Sequence, residues 1–146
     1  MRLSAKGRYA LAALIEMARQ TQKGGIVSLV SISEILGISK IFLEQIATTL
    51  KKDGIILSTK GARGGYQLAR EAHTITALDV LASVENTLME NNAAFGPSSA
   101  IETAIRAMVF DRLDQAIETC LSGVSIQDLL EYADRQNSEQ AFMANI

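Results

Sequence analysis

The sequence predicts a mainly α-helical chain carrying one small β-hairpin. Two short capped helices stand either side of a glycine-containing turn (28–53). A glycine-rich basic stretch, STKGARGGYQL (58–68), follows between two β-prone runs. A long amphipathic segment with a broad apolar side occupies about 98–122.

Each element has a local cause. From Ser4 to about Gln22 the residues Leu11, Leu14, Ile15 and Ala18 recur at i, i+3, i+4 and i+7, one face of a helix, and Gly24-Gly25 stops it. The basic start with an apolar middle resembles a secretion signal. Glu16 and Arg19 interrupt the apolar part, however, so it reads as a folded amphipathic helix and the expected compartment is the cytoplasm. Ser28 can cap a second helix with Leu29, Ile32, Ile35 and Leu36 as its apolar residues, ended by Gly37. Ser39 can cap a third helix to about Asp53, with an apolar stripe of Leu43, Ile46, Ala47 and Leu50; Lys40, Ile41, Glu44, Gln45, Thr48 and Lys51 occupy the other surface.

Helix, three-residue turn, helix is the helix-turn-helix pattern, a weak signal alone. The runs Ile55-Ile56-Leu57 and Tyr66-Gln67-Leu68-Ala69 add strands on both sides of the glycine-rich stretch. A hairpin directly after a helix-turn-helix makes a winged helix-turn-helix. The competing reading, a phosphate-binding loop, needs glycines that open a helix. Here they lead into a strand, and no Gly-Lys-Ser/Thr follows. The hairpin reading takes the glycines as positions of positive φ and exposes Lys60 and Arg63 at a tip.

The second half reads as helical. Thr76 can begin a helix to about Glu85, and TLMENNAAFGPSS (87–99) is a polar loop in which Pro97 is placed to start the next helix. That long helix carries Ile101, Ile105, Met108, Val109, Leu113, Ile117, Cys120 and Leu121 on its apolar side, too wide a surface to stay bare, which predicts a homodimer. Ser125-Ile-Gln-Asp128 resembles a capping box and opens a last helix; the tail from about Gln136 is expected to fray. The expected organisation is a DNA-binding unit over 1–75, a dimerisation and effector region over 76–135, and the tail 136–146.

Charge is divided along the chain. Residues 1–70 hold 11 Lys+Arg against 4 Asp+Glu, a net +7, while residues 71–146 hold 3 against 12, a net −9. A basic first half suits a polyanion partner. The only cysteine and the only histidine, Cys120 and His73, form no catalytic or metal-binding set, so neither an enzyme nor a metal site is expected. Cys120 reads as a packed small hydrophobe and His73 as a surface residue.

The segments MRLSAKGRYALAAL, ISEILGISKIFLEQI and KGARGGYQLAR resemble the start, the helix-turn-helix and the wing of the Rrf-two family of dimeric bacterial transcription regulators. The family includes iron–sulfur and nitric-oxide sensors and a cluster-free branch typified by a cysteine-metabolism repressor. The resemblance implies that the first helix, the helix-turn-helix and the wing bind double-stranded DNA, and that the long helix crosses between subunits. Cluster-bearing members use three cysteines in the loop before that helix. The loop here has neither Cys nor His, so the resemblance points to the cluster-free branch, controlled by a small ligand or by a protein such as a metabolic enzyme.

On this reading Ser39, Lys40, Glu44, Gln45 and Thr48 face base edges, with Glu44 accepting from cytosine and Gln45 pairing with adenine. Lys60 and Arg63 are the wing contacts. Arg2, Lys6, Arg8, Tyr9, Lys51 and Lys52 meet the phosphate backbone. The plainer reading of each is a solvated surface side chain, and for Glu44 an i, i+4 ion pair with Lys40. The alternative function is a winged-helix protein-interaction module that does not bind DNA specifically.

Overall fold

The computed structural model describes residues 3–22, 24–88 and 99–145. Helix α1 spans Ala5–Gln20, α2 Leu29–Leu36 and α3 Lys40–Lys52. Strands β1 (Ile56–Thr59) and β2 (Gly65–Leu68) pair antiparallel, with Thr59 opposite Gly65. A 3-10 turn at Ala72–Thr74, which exposes His73, leads into α4 (Ala77–Val84). Helix α5 (Ala100–Ile105), a π-helical turn (Arg106–Phe110) and α6 (Asp111–Ser122) form one continuous rod, and α7 covers Ile126–Ala144. Arg2, Pro97 and most of the expected loop lie outside the described residues.

Serine caps set the helix starts. Ser4, Ser28, Ser39 and Ser99 each accept from an N–H in the first turn of α1, α2, α3 and α5, satisfying donors that a helix leaves unpaired. Helices α4 and α7 open with full capping boxes, Thr76 with Asp79 and Ser125 with Asp128. The Ser125 N–H and hydroxyl hold the Asp128 carboxyl below the usual aspartate range. The two boxes are tied to each other, Ala77 N–H donating to Val124 O and Ile126 N–H to Ile75 O, both at 2.8 Å.

One core serves both halves of the sequence. Leu14, Met17, Ile32, Leu43, Ile46, Leu50 and Ile56 pack in the same cluster as Ile75, Val80, Ile126 and Leu130. The buried residues of α1 in the core are Ala10, Ala13, Leu14, Met17 and Ala18, so Leu14 and Ala18 of the expected face are inside while Leu11 and Ile15 stand at the margin. The buried surface is shifted from the expected face because α1 is enclosed by α4 and α7 as well as by α2 and α3. That enclosure also buries Glu16, which accepts from Arg19 at 2.7 Å and Gln20 at 3.0 Å; Arg19 reaches on to Asp134 of α7 at 2.9 Å. Ile35, expected on the inner face of α2, is 55% exposed: a helix of eight residues has room for one narrow stripe, Leu29 and Ile32, with Leu36 beside it. Helix α7 runs past Gln136 to Ala144 rather than fraying, since each added residue closes one more hydrogen bond on a helix already nucleated.

The rod departs most from expectation. It buries no residue, and Cys120 is exposed in this chain rather than packed. The half-buried positions are Glu102, Ile105 and Arg106, up to the first residue of the π turn, and Asp114, Ile117 and Leu121 after it. On an unbroken α-helix those two sets would point about 100° apart, one residue's rotation. The π turn, in which Asp111 N–H donates to Arg106 O, holds one extra residue and brings them onto one side. The same correction aligns Ile101, Met108, Leu113 and Cys120 along the outward side, where the first three are 72%, 69% and 48% exposed.

Candidate nucleic-acid interface

Helix α3 divides into two stripes. Leu43, Ile46, Ala47 and Leu50 are buried, which turns Lys40, Ile41, Glu44, Gln45 and Thr48 outward, all exposed. Ser39 sits at the head of the stripe with its hydroxyl oxygen accepting from Phe42 N–H at 3.4 Å, so its first role is the cap, and its hydroxyl proton stays available. Thr48 donates its hydroxyl to Glu44 O at 2.8 Å, leaving oxygen lone pairs outward. Lys40 Nζ stands 3.7 Å from Glu44 Oε1, the i, i+4 pair anticipated as the plainer reading of Glu44. Both partners are about half exposed (55% and 52%), and such surface pairs contribute well under about 1 kcal/mol, so the pair is free to open.

The wing is anchored as well as paired. Val27 exchanges two backbone hydrogen bonds with Tyr66, at 2.8 and 2.9 Å, on the edge of β2 away from β1. Val27 immediately precedes the Ser28 cap of α2, so the wing base is fixed to the start of the helix-turn-helix. The wing glycines do two different jobs. Only Gly61 has positive φ, +110°. Gly64 and Gly65 are places of close approach: a Cβ on Gly64 would overlap Thr59 O, and one on Gly65 would lie 2.5 Å from Val27 O. The expectation of positive φ for all of them is corrected accordingly: Gly64 is crowded by the facing backbone of its own hairpin, and Gly65 by the third backbone segment at Val27, which no local pattern reports. Lys60 and Arg63 are exposed in the connection between the strands. Between α3 and the wing base runs an open groove of about 490 Å³, lined by Val30, Lys40, Glu44, Thr48, Gly64 and Tyr66.

Helix α1 joins this surface through one aromatic contact. The Tyr9 and Phe42 rings meet edge to face, centroids 5.6 Å apart at 86°, which docks the start of α1 on the first turn of α3. Arg8 is exposed nearby in sequence and Lys6 half-buried. Lys51 and Lys52 are exposed at the end of α3, where they also complement the helix dipole. The structure thus gathers Lys40, Glu44 and Thr48 in one groove with the wing base and sets Tyr9 against α3. Ile41, 69% exposed on the same stripe, was not singled out from the sequence as a reader of bases.

The donor set does not fit the three-cysteine site of cluster-bearing relatives. Such a cluster needs several thiolates or comparable ligands, and the chain has one cysteine and one histidine. Among the described residues no three His, Cys, Asp or Glu side chains form a group able to hold a metal.

Comparison with known proteins agrees with this geometry. The model of the Rrf2 family, described as an iron-dependent transcriptional regulator, matches residues 3–132. The helix-turn-helix transcriptional regulator IscR of Yersinia pseudotuberculosis is 34% identical over 152 residues, covering 99% of this chain and 92% of that protein. Among solved structures, CymR of B. subtilis, the global cysteine regulator, has a TM-score of 0.74 at 31% identity, covering 90% of this chain and 98% of its own. T. potens IscR has a TM-score of 0.71 at 32% identity, covering 91% and 88%. With its helix-turn-helix, anchored wing and family-wide match, the chain belongs to the Rrf2 family and is a DNA-binding transcriptional regulator.

Proposed function

We propose that this regulator is a homodimeric repressor that binds a roughly palindromic operator without an iron–sulfur cluster. The observation that carries the reading is the outward apolar line Ile101, Met108 and Leu113 on a rod that buries none of its residues within its own chain. A second copy covers that line most simply, and Val109, Ile105 and Ile117 flank it. Two-fold symmetry in the protein then calls for two-fold symmetry in the operator. In each copy α3 enters the major groove and Arg63 of the wing reaches an adjacent minor groove. Ser39, Lys40, Glu44, Gln45 and Thr48 face the bases, while Lys6, Arg8, Tyr9, Lys51, Lys52 and Lys60, with Arg2, meet phosphates. Occupancy of a promoter excludes polymerase. The signal comes from a small ligand or a protein partner, and the protein works in the cytoplasm; among the described residues no helix is long and apolar enough to cross a membrane.

Light scattering at micromolar concentration is expected to give twice the chain mass. Fluorescence anisotropy against a duplex selected by the protein from a randomised pool or from its own upstream DNA, with random DNA as control, across a salt series, is expected to show a preference of about 10³ or more and a steep fall with salt. A clean monomer, or equal weak affinity for both duplexes, refutes the proposal. Brown protein as purified refutes its cluster-free part.

A further inference from the structure

We infer that Ile41 is a base reader that packs against a thymine methyl in the major groove. The inference rests on the reading of α3 as the helix that enters the groove. Ile41 begins the outward stripe of α3: Glu44, Gln45 and Thr48 follow it at i+3, i+4 and i+7. It is 69% exposed, more than any other large apolar side chain described before residue 100.

A single exposed apolar residue is ordinary on a protein surface. Two features separate this one. It is the second residue of α3, in the turn that leads into the groove. Its stripe is otherwise polar, and every polar neighbour can hydrogen-bond with base edges. What polar groups cannot recognise is the C5 methyl of thymine, the one apolar mark in the major groove. Isoleucine is β-branched and stiff at χ1, so it presents its methyl groups with little rotamer freedom left to lose. The free protein leaves that surface in water; contact with a thymine methyl removes it. Glu44 and Gln45 one turn on would read neighbouring bases, so Ile41 adds a preference for T at one further position of each half-site.

The test begins with selection of binding duplexes from a randomised pool by the full-length protein. Each thymine of the selected half-site is then replaced in turn by uracil, which removes only the methyl, and affinity is measured by anisotropy for wild type, Ile41→Ala and Ile41→Val. The expected result is a loss of about fourfold per half-site at one position for wild type, the worth of one buried methyl group. Ile41→Val keeps most of that loss and Ile41→Ala shows almost none. Circular dichroism confirms that the variants fold, as exposure of the site predicts. A flat uracil scan for wild type, an equal loss in Ile41→Ala, or a uniform weakening at every position overturns the inference while leaving DNA binding by α3 intact. A pool that yields no enriched sequence overturns that underlying reading as well.

Discussion

Gly7→Ala offers a sharp test, because two physical effects there have opposite signs. Gly7 is the third residue of α1. Alanine in a helix is favoured over glycine by about 0.5–1 kcal/mol, which argues for stabilisation. But an added Cβ would overlap Glu85 Oε1 and lie 3.0 Å from Leu81 Cδ2. Glu85 cannot swing aside freely, since the same oxygen accepts from Ser4 N–H at 2.8 Å and from the Ser4 hydroxyl at 2.6 Å. Losing two hydrogen bonds to a carboxylate that is only partly buried costs about 1 kcal/mol each, the worth of an ordinary hydrogen bond, because solvent screens the charge. The net expectation is destabilisation of about 1 kcal/mol, or roughly 2–4 °C in Tm for a chain of this size. Denaturant unfolding of Gly7→Ala, Glu85→Ala and the double variant isolates the term. In the Glu85→Ala background the carboxylate is gone and only Leu81 Cδ2, the far end of a flexible side chain, still has to give by a few tenths of an ångström, so Gly7→Ala should become neutral or stabilising, with a coupling of about 1–2 kcal/mol. If Gly7→Ala raises stability in the wild-type background, the tie between Glu85 and the head of α1 is not what holds Gly7. The contact has a functional side: Glu85 caps the end of α4, and Ser4 begins the helix that carries Lys6, Arg8 and Tyr9.

Three more outcomes follow from the geometry. Arg63→Ala should weaken operator binding several-fold at moderate salt without changing thermal stability; unchanged affinity in an anisotropy titration removes the wing contact. Deleting Ala107 should convert the π turn to plain α-helix and keep the apolar line continuous, so the dimer seen by light scattering survives. Inserting one alanine there should swing the second half of the line by about 100° and weaken the dimer; the reverse pattern refutes the phase argument. Asp128→Asn should flatten the acid limb of unfolding. The carboxyl of Asp128 is held below the usual range when folded, so its contribution is full above that range and fades as pH falls through the lowered value. Wild type and variant losing stability in parallel over that window rules this out.

Much of the molecule was legible because its causes are local. Ser28, Ser39 and Ser125 mark helix starts through the chemistry of a hydroxyl one residue ahead of an apolar period, and Gly37, with φ +67°, marks a stop. The buried stripe of α3 follows from spacing alone, and so does the identity of the side chains opposite it. The order of helix-turn-helix and basic hairpin carried the DNA-binding assignment without any distance.

Other features were set by segments far apart in sequence, which no local pattern reports. Gly65 looked like a turn residue; the backbone of Val27, nearly forty residues earlier, makes it a spacing residue. Glu16 looked like an interruption of an apolar helix, yet α7 closes over it and Arg19 bridges it to Asp134. The π turn is the clearest case. The sequence by itself determined that the long helix has apolar residues at Ile101, Ile105 and Met108 and again at Leu113 and Ile117, two runs one residue out of step. Only the tertiary structure decided how the mismatch is resolved: packing of α6 on α4 fixes one side of the rod inward, and the helix takes up an extra residue in one wide turn to keep that side continuous.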